Sequence, residues 1–522
     1  MNQRWTLIAA VLGSSIVFVD SSVVTVALPK IGRELPTTVL GVLEGQLYVY
    51  TGYLLTLSAL LILAGALSDF YGRRRVFLIG LIGFGLTSVL CGLAPNMEFL
   101  VLSRILQGAA GAILVPGSLA LLTAAFSGEA QGRAYGVWAA ATAATTILGP
   151  FIGGVLVDTI SWRVAFLINV PLVVVAVWAT ARYVPESRNE NATGHFDWLG
   201  AAVVAIAVGG LSFGATYGQQ REWRDPLAYV ALAAGVVATI AFPFLMRRSR
   251  EPLVPLELFR SRNFTVTNIS TLLIYGALYV TFYYLALFLQ GVLGYSASAA
   301  GLAGIPGGVL LVVLSTRFGA LAARYGPKIF MTVGPALMAI GVLWFSRVPA
   351  TSPAWVFLPG DPSTWFPPRE WFVDFLPGQI IFGFGLAMMV APLTTALMTS
   401  VPVRNSGVGS AVNNAISRVG PQLAGAVIFV AITASFYSGM AARIPGADTS
   451  DPAFRHDYPP MTVPQTSDPR ALAARDQSTE AFHLAMYVGA ALLAAGAVVN
   501  AVGISDEAAQ QAIKRRTPMT TV

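Results

Sequence analysis

The sequence predicts an all-α polytopic membrane protein of fourteen membrane-spanning helices, ordered six, two and six, with both termini in the cytoplasm. Three observations carry this. Of the 522 residues, 55% are hydrophobic and 11% charged, whereas a soluble domain has about a quarter of its residues charged. The apolar residues fall into runs near the length of about 20 that crosses a bilayer as a helix. Two short stretches, one in each flank of the chain, also repeat each other.

The spans fall at 5–28, 45–67, 76–94, 98–126, 132–156, 163–182, 197–217, 227–246, 264–290, 297–321, 328–346, 375–399, 407–437 and 479–504. The first run is long and lacks a small-x-small site with a polar flank, so it is expected to be a span and not a cleaved signal. Most connections are short. The exceptions are 347–374, rich in Pro and Trp, and 438–478, polar and Pro-rich. Basic residues set the orientation. Arg73, Arg74 and Arg75, then Arg247, Arg248, Arg250, Arg260 and Arg262, then Lys514, Arg515 and Arg516 fall on one side, which is therefore cytoplasmic. This accounts for most of the +7 net charge without a nucleic-acid partner. Cys91 is the only cysteine, which excludes an intramolecular disulfide.

The repeat pairs GALSDFYGRRR (65–75) with GALAARYGPK (319–328). Gly65, Ala66, Leu67, Tyr71 and Gly72 recur as Gly319, Ala320, Leu321, Tyr325 and Gly326. Each stretch follows the second helix of a six-helix set on the cytoplasmic side. The expected organisation is a six-helix bundle over 1–190, a two-helix insertion over 191–262, and a second six-helix bundle over 263–522 with outer loops 347–374 and 438–478. Two halves around a central cavity is a transporter architecture.

Asp20 sits in an apolar stretch, SSIVFVDSSVV (14–24). It lies about 15 residues into the first helix, roughly 22 Å from the inner surface. Arg104 lies about six residues into the fourth helix, which enters from outside, so it is roughly 9 Å below the outer surface. In a hydrocarbon core of about 30 Å the two depths nearly coincide. An intramembrane charge is costly and faces a partner or a wet cavity. Arginine stays protonated, whereas desolvation and a neighbouring cation pull a carboxylate pKa in opposite directions and can leave it near working pH. Asp20 is therefore read as the proton-coupling group, open also to competition from a cationic substrate. Two other readings stand beside it: a structural ion pair with Arg104, and a cap for a helix break near Pro29.

Arg104, Gln107, Gly108 and Gly111 share one face of the fourth helix, either a polar cavity wall or a packing seam. Gly149, Pro150, Gly153 and Gly154 end the fifth helix with a bend and a close-packing seam. Asp69 beside Arg73, Arg74 and Arg75 is suited to accept from a helix N-terminus or an arginine. Gln46 and Tyr53 on helix two and Tyr279 and Tyr283 on helix nine are candidate cavity residues, aromatic ones suiting hydrophobic cations. Asn413, Asn414 and Arg418 add polar groups to helix thirteen. Arg418 has no obvious partner and would suit an acidic substrate group.

These motifs together resemble the major facilitator superfamily. GALSDFYGRRR is similar to its cytoplasmic loop signature, RILQGAAGAI (104–113) to its fourth-helix motif, and ILGPFIGGVL (147–156) to its antiporter motif. VDSSVVTVALP (19–29), SWRVAFLINVP (161–171), FDWLG (196–200) and EPLVPLELF (251–259) resemble its fourteen-helix drug:proton antiporter branch. Tyr48, Ala323 and Thr145 depart from the family pattern. The resemblance implies the major facilitator fold. It also implies a proton-coupled antiporter in the bacterial cytoplasmic membrane that exports hydrophobic, cationic drugs by alternating access. It implies a cytoplasmic latch at Gly65, Asp69, Gly72 and Arg73 that stabilises the outward-facing state. It places the Gly149–Gly154 seam between the halves on the outer side. The alternative is a dedicated exporter of one lipid or secondary metabolite, with Trp355, Trp365 and Trp371 extending a path at the outer surface. No clustered polar groups at one membrane face point to an enzyme. There is no GxxxxGK[ST] phosphate loop. His195, His456 and His483 lie far apart, so no metal or other cofactor is expected. The expected partners are protons, a small hydrophobic substrate and the bilayer, with the chain acting as a monomer.

Overall fold

The protein is seen here as a computed structural model that describes residues 3–38, 42–188, 196–249, 251–358, 360–444, 446, 448–461, 463, 466 and 468–507. Long helices dominate it, and the described residues contain no strand. In chain order these are α1 (Gln3–Glu34), α2 (Val42–Tyr71), α3 (Arg73–Gly92), α4 (Met97–Ala125), α5 (Gly128–Thr159), α6 (Asn169–Tyr183) and α7 (Trp198–Gln220). Then come α8 (Pro226–Arg248), α9 (Arg262–Leu287), α10 (Ile305–Tyr325), α11 (Lys328–Phe345), α12 (Leu376–Thr399), α13 (Ser406–Arg443) and α14 (Pro469–Gly503). Thirteen of the described helical stretches have the length and hydropathy to cross a bilayer. Helix α5, 32 residues long, is the fourteenth long helix and runs between α1 and α10. All fourteen expected spans are therefore helical.

The same packing scheme occurs on both sides of the α7–α8 insertion. Helix α1 packs on α5 and α6, as α9 packs on α13 and α14. Helix α4 packs on α2 and α3, as α12 packs on α10 and α11. The repeated sequence has a repeated local geometry. Gly72 (φ 111°) ends α2 and Gly326 (φ 98°) ends α10, both in the left-handed region that favours glycine. Each is followed by a helix whose first N–H groups meet a carboxylate from just beyond the sixth helix of its set. Glu186 accepts from the backbone N–H groups of Arg74 and Arg75, both at 3.1 Å. Asp506 accepts from that of Lys328 at 2.9 Å. A carboxylate at a helix N-terminus satisfies otherwise orphan donors and complements the helix dipole.

Two glycine crossings hold the six-helix sets together toward the cytoplasm. A Cβ on Gly65 of α2 would lie 2.4 Å from the Gly407 carbonyl oxygen of α13. A Cβ on Gly132 of α5 would lie 2.5 Å from the Gly319 carbonyl oxygen of α10. Backbones approach this closely only where neither residue carries a side chain.

The spans of the two-helix insertion carry few embedded charges, which suits the lipid-facing periphery. Helix α8 fits that, with Val230, Val237, Ile240 and Phe244 exposed. Helix α7 instead lies over the junction of α2 and α13. Its Gly209 packs on Ala59, and Gln219 Nε2 donates to the Gln422 carbonyl at 3.1 Å. Small residues let α7 sit close on both sides, which hydropathy alone does not reveal. The 347–374 connection folds back on the bundle. Trp355 and Trp371 are buried with ring centroids 6.1 Å apart, and Ser352 Oγ donates to Asp374 at 2.7 Å. Of its three tryptophans named above, only Trp365 is exposed.

Replacing Gly132 with valine forces α5 and α10 apart at this crossing. Overpacking of this kind costs about 1–3 kcal/mol. Thermal unfolding of the purified protein should therefore show a lower midpoint for Gly132→Val. Gly83→Ala, where a Cβ would meet nothing closer than 3.4 Å, should leave it unchanged.

Candidate transport site

Gly108 of α4 is the local cause of the site. A Cβ there would stand 2.3 Å from the Tyr53 carbonyl and 2.2 Å from Thr56 Oγ1. Its absence lets α4 lie close on α2 and brings Arg104 over the Tyr53 ring, with Cζ 3.9 Å from the centroid. The Phe166 ring lies 5.6 Å from the same guanidinium. Arg104 is fully buried. Its Nη1 donates to Asp20 Oδ2 at 2.5 Å and to Gln107 Oε1 at 2.7 Å, and its Nε donates to the Val49 carbonyl at 3.2 Å. The matched depths of Asp20 and Arg104 are thus a direct contact.

Asp20 is also fully buried. Its second oxygen accepts from Gln107 Nε2 at 3.1 Å and from Asn169 Nδ2 at 3.0 Å. Gln107 Nε2 donates in addition to Ser88 Oγ at 2.8 Å, and the Cys91 thiol donates to Gln107 Oε1 at 3.5 Å. Helices α1, α3, α4 and α6 therefore meet in one polar network, with the α2 backbone joined through Val49. Both Asp20 oxygens are taken by protein donors and neither is exposed. Two polar atoms of the network, Arg104 Nη2 and Asn169 Oδ1, have no hydrogen-bond partner among the described residues.

A second cluster lies at the cytoplasmic ends of α2 and α3. Arg73 Nε and Nη2 donate to Asp69 Oδ1 at 3.0 and 2.9 Å. Asp69 Oδ2 accepts from the Val408 backbone N–H of α13 at 2.9 Å. Arg73 Nη2 also donates to the Val403 carbonyl. Asp69 and Arg73 are both buried, beside the Gly65–Gly407 crossing. The cluster therefore bonds the α2–α3 turn to the start of α13.

The remaining candidates separate. Gly149 and Gly153 of α5 pack on α1, where a Cβ would meet Ser22 Oγ at 1.9 Å and Val23 Cγ1 at 2.7 Å. The described part of this seam thus lies within the first six-helix set. Pro150 and Gly154 lie within α5, but their surroundings fall outside the described residues, as does the side chain of Tyr279. Gln46 Nε2 donates to the Leu28 carbonyl at 2.8 Å and ties α2 to α1. Asn413 is buried and donates to Asn268 Oδ1 and Thr271 Oγ1 of α9, at 3.1 and 2.8 Å. Asn414 bonds back to the Ser410 carbonyl at 2.9 Å. Tyr283 is exposed and sits edge-on to Tyr284. Arg418 is half-buried.

Asn169, Ser88 and Glu186 were not singled out from sequence. A polar side chain inside an apolar run, the criterion that found Asp20, also applies to Ser88 and Asn169. Glu186 carries no such signal, because its partners are backbone groups more than a hundred residues away.

Two repeated six-helix sets, the first holding a buried ion pair and joined to the second at one face by another, define a multi-pass membrane transport protein. The chain belongs to the Major Facilitator Superfamily, whose profile matches residues 10–425. It is 32% identical over 470 residues to the multidrug resistance protein Stp of Mycobacterium tuberculosis, covering 90% of this chain and 83% of that one. It is 32% identical over 430 residues to the tetracenomycin C resistance and export protein of Streptomyces glaucescens, covering 81% and 75%. It is 30% identical over 437 residues to the methylenomycin A resistance protein of Bacillus subtilis, covering 83% and 89%. Among solved structures, the fold matches a double-tryptophan mutant of XylE with TM-score 0.57 at 14% identity, covering 98% of each chain. It matches the human organic anion transporter MFSD10 with TM-score 0.55 at 14% identity, covering 94% and 100%.

Removing one member of a buried ion pair strands the other, typically at a cost of about 3–5 kcal/mol. Arg104→Gln alone and Asp20→Asn alone should each lower the thermal midpoint. The double variant should lose less than the sum of the two. Strict additivity would mean that the pair is not energetically coupled.

Proposed function

We propose that this chain is a proton-coupled antiporter in the bacterial cytoplasmic membrane. It exports hydrophobic small molecules by alternating access and works as a monomer. The single observation behind the reading is the fully buried Asp20, held by Arg104, Gln107 and Asn169 inside the first six-helix set. A proton on Asp20 cancels its charge and weakens its hold on Arg104, which must then find other acceptors. Because Asp20, Arg104 and Asn169 lie on different helices, a change of protonation becomes a change of helix packing. Asp69 and Arg73 supply the opposing constraint, closing the cytoplasmic side through bonds to α13. Relatives named for drug resistance and export support the direction of transport.

The second reading is a dedicated exporter of one lipid or secondary metabolite. The relative named for tetracenomycin C export favours the metabolite form of it. A panel of hydrophobic dyes of differing charge separates the two readings, since a dedicated exporter moves few or none of them.

Asp20→Asn should abolish dye transport driven by an imposed pH gradient in proteoliposomes, while the protein stays folded and inserted. Wild-type rates in the variant would exclude Asp20 as the proton carrier.

Asp69→Asn weakens the bond to Val408 without touching the Asp20 network. It should slow transport while substrate affinity stays close to wild type, because it biases conformation and not the binding site. Equilibrium binding and transport on one preparation check this. Collapsed affinity with normal turnover would contradict the latch.

A further inference from the structure

Arg418 is a charged group within a membrane-spanning helix that neither cluster uses. It lies on α13 about three turns beyond Gly407, on the same helical face. Gly407 and Ala411 on that face touch Gly65 of α2. Arg418 therefore lies on the face of α13 that meets the first six-helix set.

The charges at this junction do not cancel. Asp20 is bonded to Arg104, and Asp69 to Arg73. Arg418 makes no hydrogen bond or ion pair among the described residues, although it is half-buried. An arginine in a low-dielectric interior stays charged and is stabilised by an anion. A guanidinium binds carboxylate and related oxyanions in a bidentate manner.

We propose that Arg418 is the substrate-recognition residue for an anionic group, so that the transported molecules include hydrophobic acids. This rests on the exporter reading above. The acidic group of the substrate pairs with Arg418. Asp20 makes no contact with the substrate and acts through Arg104. Selection of the anion and carriage of the proton are then assigned to different residues, one in each six-helix set. Outward movement of an anion is also favoured by an inside-negative membrane potential, by about 2.3 kcal/mol per charge per 100 mV.

The test uses two xanthene dyes with similar ring systems and opposite charge, fluorescein and rhodamine 6G, with the full-length protein. Binding is read by fluorescence anisotropy, and transport in proteoliposomes with an imposed pH gradient. Wild-type protein should bind and transport fluorescein. Arg418→Gln should weaken fluorescein binding at least about tenfold, as expected for loss of a charge-assisted bond. Arg418→Lys should restore much of that loss, and rhodamine 6G binding should be unchanged or stronger in Arg418→Gln. Fluorescein binding that is equal in wild type and Arg418→Gln overturns the proposal. So does Asp20-dependent transport of rhodamine 6G alone, which would leave the exporter reading intact. If neither dye moves, the exporter reading falls and this inference falls with it.

Discussion

The first six-helix set is organised around the pairing of the fully buried Asp20 and Arg104. Neither group is tolerable alone in a low-dielectric interior, because desolvation of an isolated ion costs several kcal/mol. The solution is saturation. Asp20 receives donors from Arg104, Gln107 and Asn169, and the flat guanidinium lies against Tyr53 and near Phe166. Each donor comes from a helix whose position is set by close packing elsewhere. Gly108 lets α4 reach α2, and without that approach Arg104 would not lie over Tyr53. Small residues and buried charges are thus two halves of one device.

At the cytoplasmic face the same chemistry serves a different end. Asp69 at the end of α2 and Arg73 at the start of α3 pair with each other, yet the acceptors and donors left over go to α13 and the turn before it. Bonds between the sets, unlike those within one set, can be made and broken without unfolding either one. The Gly65–Gly407 and Gly132–Gly319 crossings add close backbone contacts between the sets.

Much of this was legible in the sequence, for identifiable reasons. A span must be apolar over about 20 residues, so composition alone located all fourteen helices. A charge in such a run is rare enough to demand a partner, and counting residues from each surface paired Asp20 with Arg104. The cytoplasmic repeat was visible because glycines at positive φ cannot readily be replaced. What stayed hidden depends on tertiary apposition. Glu186 and Asp506 bind backbone N–H groups, which look the same in every sequence. Asn169 is one residue within a recognised motif, and only the packing of α6 on α1 and α3 shows that its amide reaches Asp20. Gln46 and Asn413 read as cavity residues because they are polar, yet the structure uses them to tie helices together.

The single thiol of the chain has a consequence of its own. Cys91 is buried, and its sulfur rests on Gln107, the residue that touches both Asp20 and Arg104. The protein therefore carries a native chemical reporter inside its charge network. While the network is closed, a thiol reagent in the water has no route to it. Alkylation of Cys91 then measures how often the bundle opens at this depth, with no engineered label. The same placement makes a cysteine-free background a perturbed one, since any replacement at position 91 alters the surroundings of Gln107.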